Sequence, residues 1–149
     1  MKCKHFCNIF VILLVATLGA CKPDSTCRLA TDVRMQVPIT VHGSLDTLIV
    51  QGVGNDSVLY NANASIQAIL LPLRQDKNRT QFSLFFNDKY DTLTIFHTNN
   101  MQFISLACGC VVNHIIDSVH ATVRIDSVEI VNSAVERTLQ DNIKIYLKP

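Results

Sequence analysis

Cys108, Cys110, His114 and His120 are the residues of this chain best suited to hold a metal, since thiolate and imidazole are the preferred zinc ligands. Their positions are all even, so one continuous strand would present them on one face. The spacing argues against a site. Structural zinc cysteines usually stand two to four residues apart, and Asp117-Ser118 is expected to break the strand between the histidines, leaving these facing solvent. Cys110, His114 and His120 remain the set on which a metal-binding or hydrolytic alternative would rest. Asp91, His97 and Ser105 hold the residue types of a hydrolase triad, but no Gly-x-Ser-x-Gly elbow, glycine-rich phosphate loop or His-Glu-x-x-His accompanies them. Glu129 and Glu136 are the only glutamates, so paired-carboxylate chemistry would have to draw on aspartates placed mostly at turns. With no Trp and three Tyr, no aromatic platform for sugar stacking is evident. The expectation is a protein that is not an enzyme, with no catalytic residue, metal or cofactor.

The N-terminal residues carry an address. Lys2, Lys4 and His5 precede an apolar stretch from Ile9 to Ala20 that ends in small residues, the layout of a secretory signal. The stretch falls short of the roughly 20 residues a membrane-spanning helix requires. Leu18-Gly19-Ala20-Cys21 resembles the bacterial lipobox, in which the cysteine is acylated and becomes the new N-terminus. Each buried methylene contributes ~0.8 kcal/mol, so several acyl chains hold a domain on a membrane without a span. By resemblance to Gram-negative lipoproteins, Lys22 in place of Asp favours the outer membrane, facing either the periplasm or the surface. The expected organisation is a signal over 1–20, a lipid-anchored tether over 21–32 and a folded domain over 33–149.

The chain of 149 residues is one domain's worth, and 48% hydrophobic against 17% charged residues excludes a disordered tail. The net charge is +1, and the tightest basic group, Arg74, Lys77 and Arg79, falls on an expected loop. Nucleic acid is therefore not an expected partner. The expected partners are a membrane, reached through the lipid, and an envelope protein or glycan. Cys3 and Cys7 would leave with the signal and Cys21 would be acylated, so Cys27, Cys108 and Cys110 supply one pair and one odd thiol. A bridge from Cys27 to either partner closes a loop of some eighty residues, worth about 4–5 kcal/mol in chain-entropy models.

From Val33 onward the chain alternates with a period of two. Phe82, Leu84 and Phe86 share a face, as do Leu93 and Ile95, Val128 and Ile130, and Ile143, Ile145 and Leu147. Gly43-Ser44, Gly52 to Asp56, Asn87-Asp88, Asn99-Asn100 and Asn132-Ser133 read as turns, Asn99-Asn100 as a tight hairpin. Pro72 marks an edge strand, and Ser133 to Glu136 has the spacing of a capping box for one helical turn. The pattern predicts an all-β antiparallel sandwich of about eight strands, immunoglobulin-like or related. No glycine pattern marks the corners of a barrel.

Six of the ten aspartates precede Ser or Thr and then Thr or an aliphatic residue, as in Asp46-Thr47-Leu48 and Asp56-Ser57-Val58. Turn capping followed by a strand explains the pattern. The triplet also resembles the acceptor motif of protein O-glycosylation in Bacteroidetes. That makes Thr47, Ser57, Thr92, Ser118 and Ser127 candidate glycan sites, with Ser25 in the tether. Ser57 and Ser118 are expected to be the most reachable, and Thr92 and Ser127 partly covered.

Asp46-Thr47-Leu48 with Gly52, Asp56 to Tyr60, Leu71-Pro72-Leu73, Asp91 to Ile95, Phe103-Ile104-Ser105, Cys108-Gly109, Ile125 to Ile130 and Ile143 to Leu147 together resemble, in order, an uncharacterised lipoprotein family of the Bacteroidetes. The resemblance implies no activity. It implies a disulfide between an early cysteine, Cys27, and the cysteine of a later Cys-Gly, Cys108. Cys110 departs from the family pattern, which has an apolar residue there, and is expected as a small buried hydrophobe.

Overall fold

The computed structural model describes residues 27, 29, 31–54, 57–63, 66–123 and 125–148. The lipobox, Ser25 and Asp56 lie outside them. Ten strands form in order: β1 (Arg34–Val41), β2 (Thr47–Gly52), β3 (Val58–Asn63), β4 (Ala68–Pro72), β5 (Arg79–Phe86), β6 (Lys89–Ser105), β7 (Gly109–Ala121), β8 (Ile125–Ile130), β9 (Ala134–Val135) and β10 (Ile143–Leu147). They make two sheets, β4-β1-β10-β8 and β3-β2-β5-β6-β7-β9, packed as a β-sandwich.

The alternating residues face one another across the layers. Met35, Val37 and Ile39 of β1, Ile69 and Leu71 of β4, and Ile143, Ile145 and Leu147 of β10 are buried against Leu48, Val50, Phe82, Leu84, Phe86, Leu93 and Ile95 of the larger sheet. Every strand pairing is antiparallel except β1 with β10, which run parallel through Ile39↔Ile145. The purely antiparallel expectation needs that correction, and the reason is topological: β1 and β10 meet only once the chain has crossed between layers. Pro72 ends β4 at the edge of the smaller sheet, where its missing donor costs no ladder bond. Buried Asn142 completes the ladder beside β1: its Oδ1 accepts from Gln36 N–H, and its Nδ2 donates to the carbonyls of Asn132 and Ala134. Asp91, also buried, ties the layers at a corner by accepting from Ile125 N–H at the start of β8.

Two expected turns are corrected. Ser133 to Glu136 starts no helical turn, because Ala134 and Val135 pair with Ile115 and His114 as β9. Asn99-Asn100 is not a hairpin, because β6 continues straight through it, with Asn99 opposite His114 and Asn100 opposite Asn113. Asn87-Asp88, by contrast, is a tight hairpin turn, both residues having positive φ (45° and 58°).

β6 and β7 are consequently far longer than their neighbours, 17 and 13 residues, and their outer halves form a hairpin arm on which Met101 and Phe103 are exposed while Val111 is buried and Ile104 half-buried. From Asn99 to Ser105 the arm rises six residues, roughly 20 Å at strand geometry. The hairpin closes through Leu106 to Cys108, where Ser105 Oγ accepts from Cys108 N–H at 3.1 Å. Gly109 follows at φ 69°, a left-handed conformation that favours glycine. Truncating the core residue Phe82 to Ala should cost about 3–5 kcal/mol in denaturant unfolding, whereas Met101→Ser on the arm should change stability by less than about 0.5 kcal/mol.

Candidate functional site

The root of the arm is built on buried polar groups at the end of the core. Thr80, His97 and His114 are all buried, and Asn99 lies between the two imidazoles. Asn99 Nδ2 is surrounded by the carbonyl oxygens of Lys77, Gln75 and Arg74, at 2.8, 3.0 and 3.2 Å. Carbonyls only accept, so the amide nitrogen must face them and Oδ1 must point the other way. Asn99 Oδ1 then accepts from His97 Nδ1 at 2.9 Å and from His114 Nδ1 at 2.7 Å. Both imidazoles are thereby fixed with their protons on Nδ1. His97 Nε2, left as an acceptor, takes the Thr80 hydroxyl proton at 2.8 Å, and Thr80 Oγ1 in turn accepts from Arg74 N–H. The directed chain stitches β5, β6 and β7 to the β4–β5 connection.

His114 Nε2 is buried and finds no hydrogen-bond partner among the described residues. Protonating it would place an unpaired N–H and a charge inside the domain. Burial, together with proximity to His97, whose ring stands edge-on at 5.2 Å, accordingly lowers the His114 pKa to about 4. His97 is also lowered by burial, partly offset by its Asn99 hydrogen bond and by Asp117.

The metal candidates are not brought together. β7 runs unbroken through Asp117-Ser118, contrary to expectation, but the ladder shifts there: Phe96 pairs with Ser118 and His97 with Ile116, leaving Asp117 as the extra residue of a bulge. The shift turns alternation over, so His114 faces the core side while His120 lies on the opposite face, edge-on to Phe96. His114 is buried, correcting its expected exposure, because its register places it at the core's end. Among the described residues no three His, Cys, Asp or Glu side chains cluster as a metal site. The Asp91, His97, Ser105 set is likewise dispersed: Asp91 bonds the β8 backbone, His97 bonds Thr80 and Asn99, and Ser105 caps the arm's turn.

At the tip, Cys27 and Cys108 form a disulfide with a Cα separation of 4.7 Å. Cys110 is a free, exposed thiol, not the small buried hydrophobe expected, because its register places it opposite Phe103 on the exposed face of the arm. The core-side face of the arm, Met101 opposite half-buried Val112 and Phe103 opposite Cys110, continues the inward face of β6. Met101 is 75% exposed, Phe103 62% and Leu106, in the turn, 98%. On the other face Asn113 donates to Gln102. No Asp, Glu, Lys or Arg stands between Asp91 and Asp117. The signals missed in the sequence were Gly109, which ends the true hairpin turn, and this charge-free span.

Of the glycan candidates, Ser57 and Ser127 are exposed, while Thr47, Thr92 and Ser118 are half-buried. Ser127 was expected to be partly covered, but it lies on the outer face of β8. Ser118, expected at a turn, sits within β7.

A shallow cleft of about 310 Å³ separates the β2–β3 turn from the β4–β5 connection. Its polar groups are already engaged: Arg74 pairs with Asp76, Gln81 with Thr94 and Thr80 with His97.

The fold and site define a β-sandwich with a disulfide-tethered hairpin arm. Residues 47–147 match a family described as a family of unknown function, DUF6452, and the chain belongs to it. No curated protein and no solved structure matches the chain.

Because both imidazoles resist protonation in the fold, the unfolded chain binds more protons as pH falls from about 6.5 toward 4. Stability present above pH 6.5 should be lost across that window, by about 2–3 kcal/mol in urea unfolding, and His114→Phe should flatten the dependence. Asn99→Ala, which orphans two buried imidazole donors and releases the β4–β5 connection, should cost about 2–4 kcal/mol at pH 7. Under non-reducing conditions a thiol reagent should label Cys110, and peptide mapping should link Cys27 to Cys108.

Proposed function

We propose that this protein is a lipid-anchored lipoprotein of the cell envelope, acting as a non-enzymatic binding or assembly module whose contact element is the hairpin arm. The observation that carries the reading is the Cys27–Cys108 bridge, which ties an exposed apolar tip to the segment directly after the lipobox-like Leu18-Gly19-Ala20-Cys21. A disulfide closing so long a loop suits an oxidising compartment outside the cytoplasm. The engagement of the buried polar groups in holding the arm supports binding over catalysis. Lys22 after the acylated cysteine supports the outer membrane, and the family resemblance supports a Bacteroidetes source. In that setting exposed Ser57 and Ser127 are the foremost O-glycan acceptors of the five candidates, since a glycan needs a reachable hydroxyl and no core position.

Cys21→Ala should release the protein from membranes or leave an unprocessed precursor, read by fractionation. Intact mass of native protein should show a lipid on Cys21, and any remaining excess should drop in Ser57→Ala or Ser127→Ala. An unmodified N-terminus in the cytoplasm would refute the anchor, and a mass equal to polypeptide plus lipid would leave the Asp-Ser/Thr triplets as turn chemistry.

A further inference from the structure

We infer that the tip of the β6–β7 arm is a bilayer contact: Met101, Phe103 and Leu106 enter the interfacial region of the membrane that holds the lipid. The inference rests on the lipid-anchor reading above and names the partner of its contact element.

Chain length sets the geometry. From Cys21 to Cys27 there are six residue steps, which reach at most about 20 Å. The Cys27–Cys108 bridge fixes that short tether to the turn of the arm, so the tip faces the membrane and the sandwich stands away from it. Without the bridge the tether would run free to Val33, twelve steps, and its reach would roughly double. From Val33 back to Cys27 is also six steps, the same number as from Asn99 out to Ser105. The N-terminal segment is therefore just long enough to reach the tip.

The surface chemistry fits a lipid interface. The core-side face of the arm and its turn present Met101, Phe103 and Leu106, each more than half exposed, in a span holding no formal charge from Thr92 to Ile116. Apolar side chains on such an element gain by leaving water. The nearest charges need not enter with them: Glu136 and Arg137 lie against the other face, at Gln102 and Asn113, and a long side chain such as that of Arg28, next to Cys27 in the chain, keeps its charge among the headgroups. The backbone of the tip is paired across the hairpin, Phe103 with Cys110 and Ser105 with Gly109, which limits the polar groups carried into the interface. The root cluster around Asn99 holds the arm in line with the sandwich, so the tip meets the surface as a rigid projection.

Cys110, opposite Phe103, provides the probe site. Full-length lipidated protein would be labelled there with an environment-sensitive fluorophore and reconstituted into vesicles of phosphatidylethanolamine and phosphatidylglycerol. A Cys110→Ala, Lys89→Cys chain labelled beside the β5–β6 turn, at the opposite end of the sandwich, serves as reference. Aqueous iodide should quench the Cys110 probe at least threefold less than the Lys89 position, and nitroxide-bearing lipid should quench only the former. Met101→Ser, Phe103→Ser, Leu106→Ser together should restore iodide access while the protein still floats with the vesicles. A chain lipidated by intact mass and floating with vesicles, yet equally open to iodide at both positions, would overturn the tip contact and leave the anchor standing. Shielding in native envelope membranes but not in protein-free vesicles would overturn it in favour of a protein partner. A purified chain with no lipid by mass would overturn the anchor reading and the tip contact with it.

Discussion

The carboxamide of Asn99 is the constraint on which the distinctive part of this structure depends. One side chain satisfies three carbonyls of the β4–β5 connection and accepts from two buried imidazoles. Unmet, each of the two buried imidazole donors would carry a desolvation penalty of about 1–3 kcal/mol. Because its nitrogen can face only the carbonyls, its oxygen can face only donors, and the tautomers of His97 and His114 follow. A loop, two strands of the arm and the start of β5 are thereby set by one orientation.

That arrangement lets a sandwich carry a long hairpin. A two-stranded ribbon in water is at best marginally stable by itself. Here its root is locked into the end of the core by the Asn99 cluster, and its tip is stapled to the N-terminal segment by Cys27–Cys108. The bulge at Asp117 has a second consequence beyond bending the ribbon. It reverses the facing of β7, so the same strand supplies Val119 and Ala121 toward the core on one side of the bulge and His114 and Ile116 toward it on the other. Thr98 donates its hydroxyl to Asp117 at this point, satisfying the carboxylate on the surface.

The two ends of the molecule differ in chemical character. At the β5–β6 turn, Asn87, Asp88 and Lys89 form a short polar corner, with Asn87 bonding back to Asp46 N–H and the Ser44 carbonyl. At the other end an uncharged ribbon exposes Met101, Phe103 and Leu106. Tyr90 and Val123 are exposed at the first end as well, 70% and 92%, and what sets the arm apart is that the disulfide places its exposed apolar side chains beside the N-terminal segment.

The sandwich was legible in the sequence because strand alternation is a local signal: Phe82, Leu84 and Phe86 point one way by pleat geometry wherever the strand sits, and Pro72 excludes itself from a central ladder. The same local logic identified Asn87-Asp88 as a turn, and the resemblance rather than the spacing singled out Cys27 with Cys108. What failed were inferences about particular ladder partners. Asn99-Asn100 has the composition of a turn and became mid-strand because the Asn99 amide is taken up by carbonyls more than twenty residues away. Ser133 to Glu136 has helix-start spacing but lies where the edge of β7 offers a ladder. The even spacing of Cys110, His114 and His120 promised a common face, and a single inserted residue cancelled it. Composition and period determined the layers of this protein; register, bulge and the length of the arm were decided only by tertiary structure, because each depends on hydrogen bonds between residues distant in the chain.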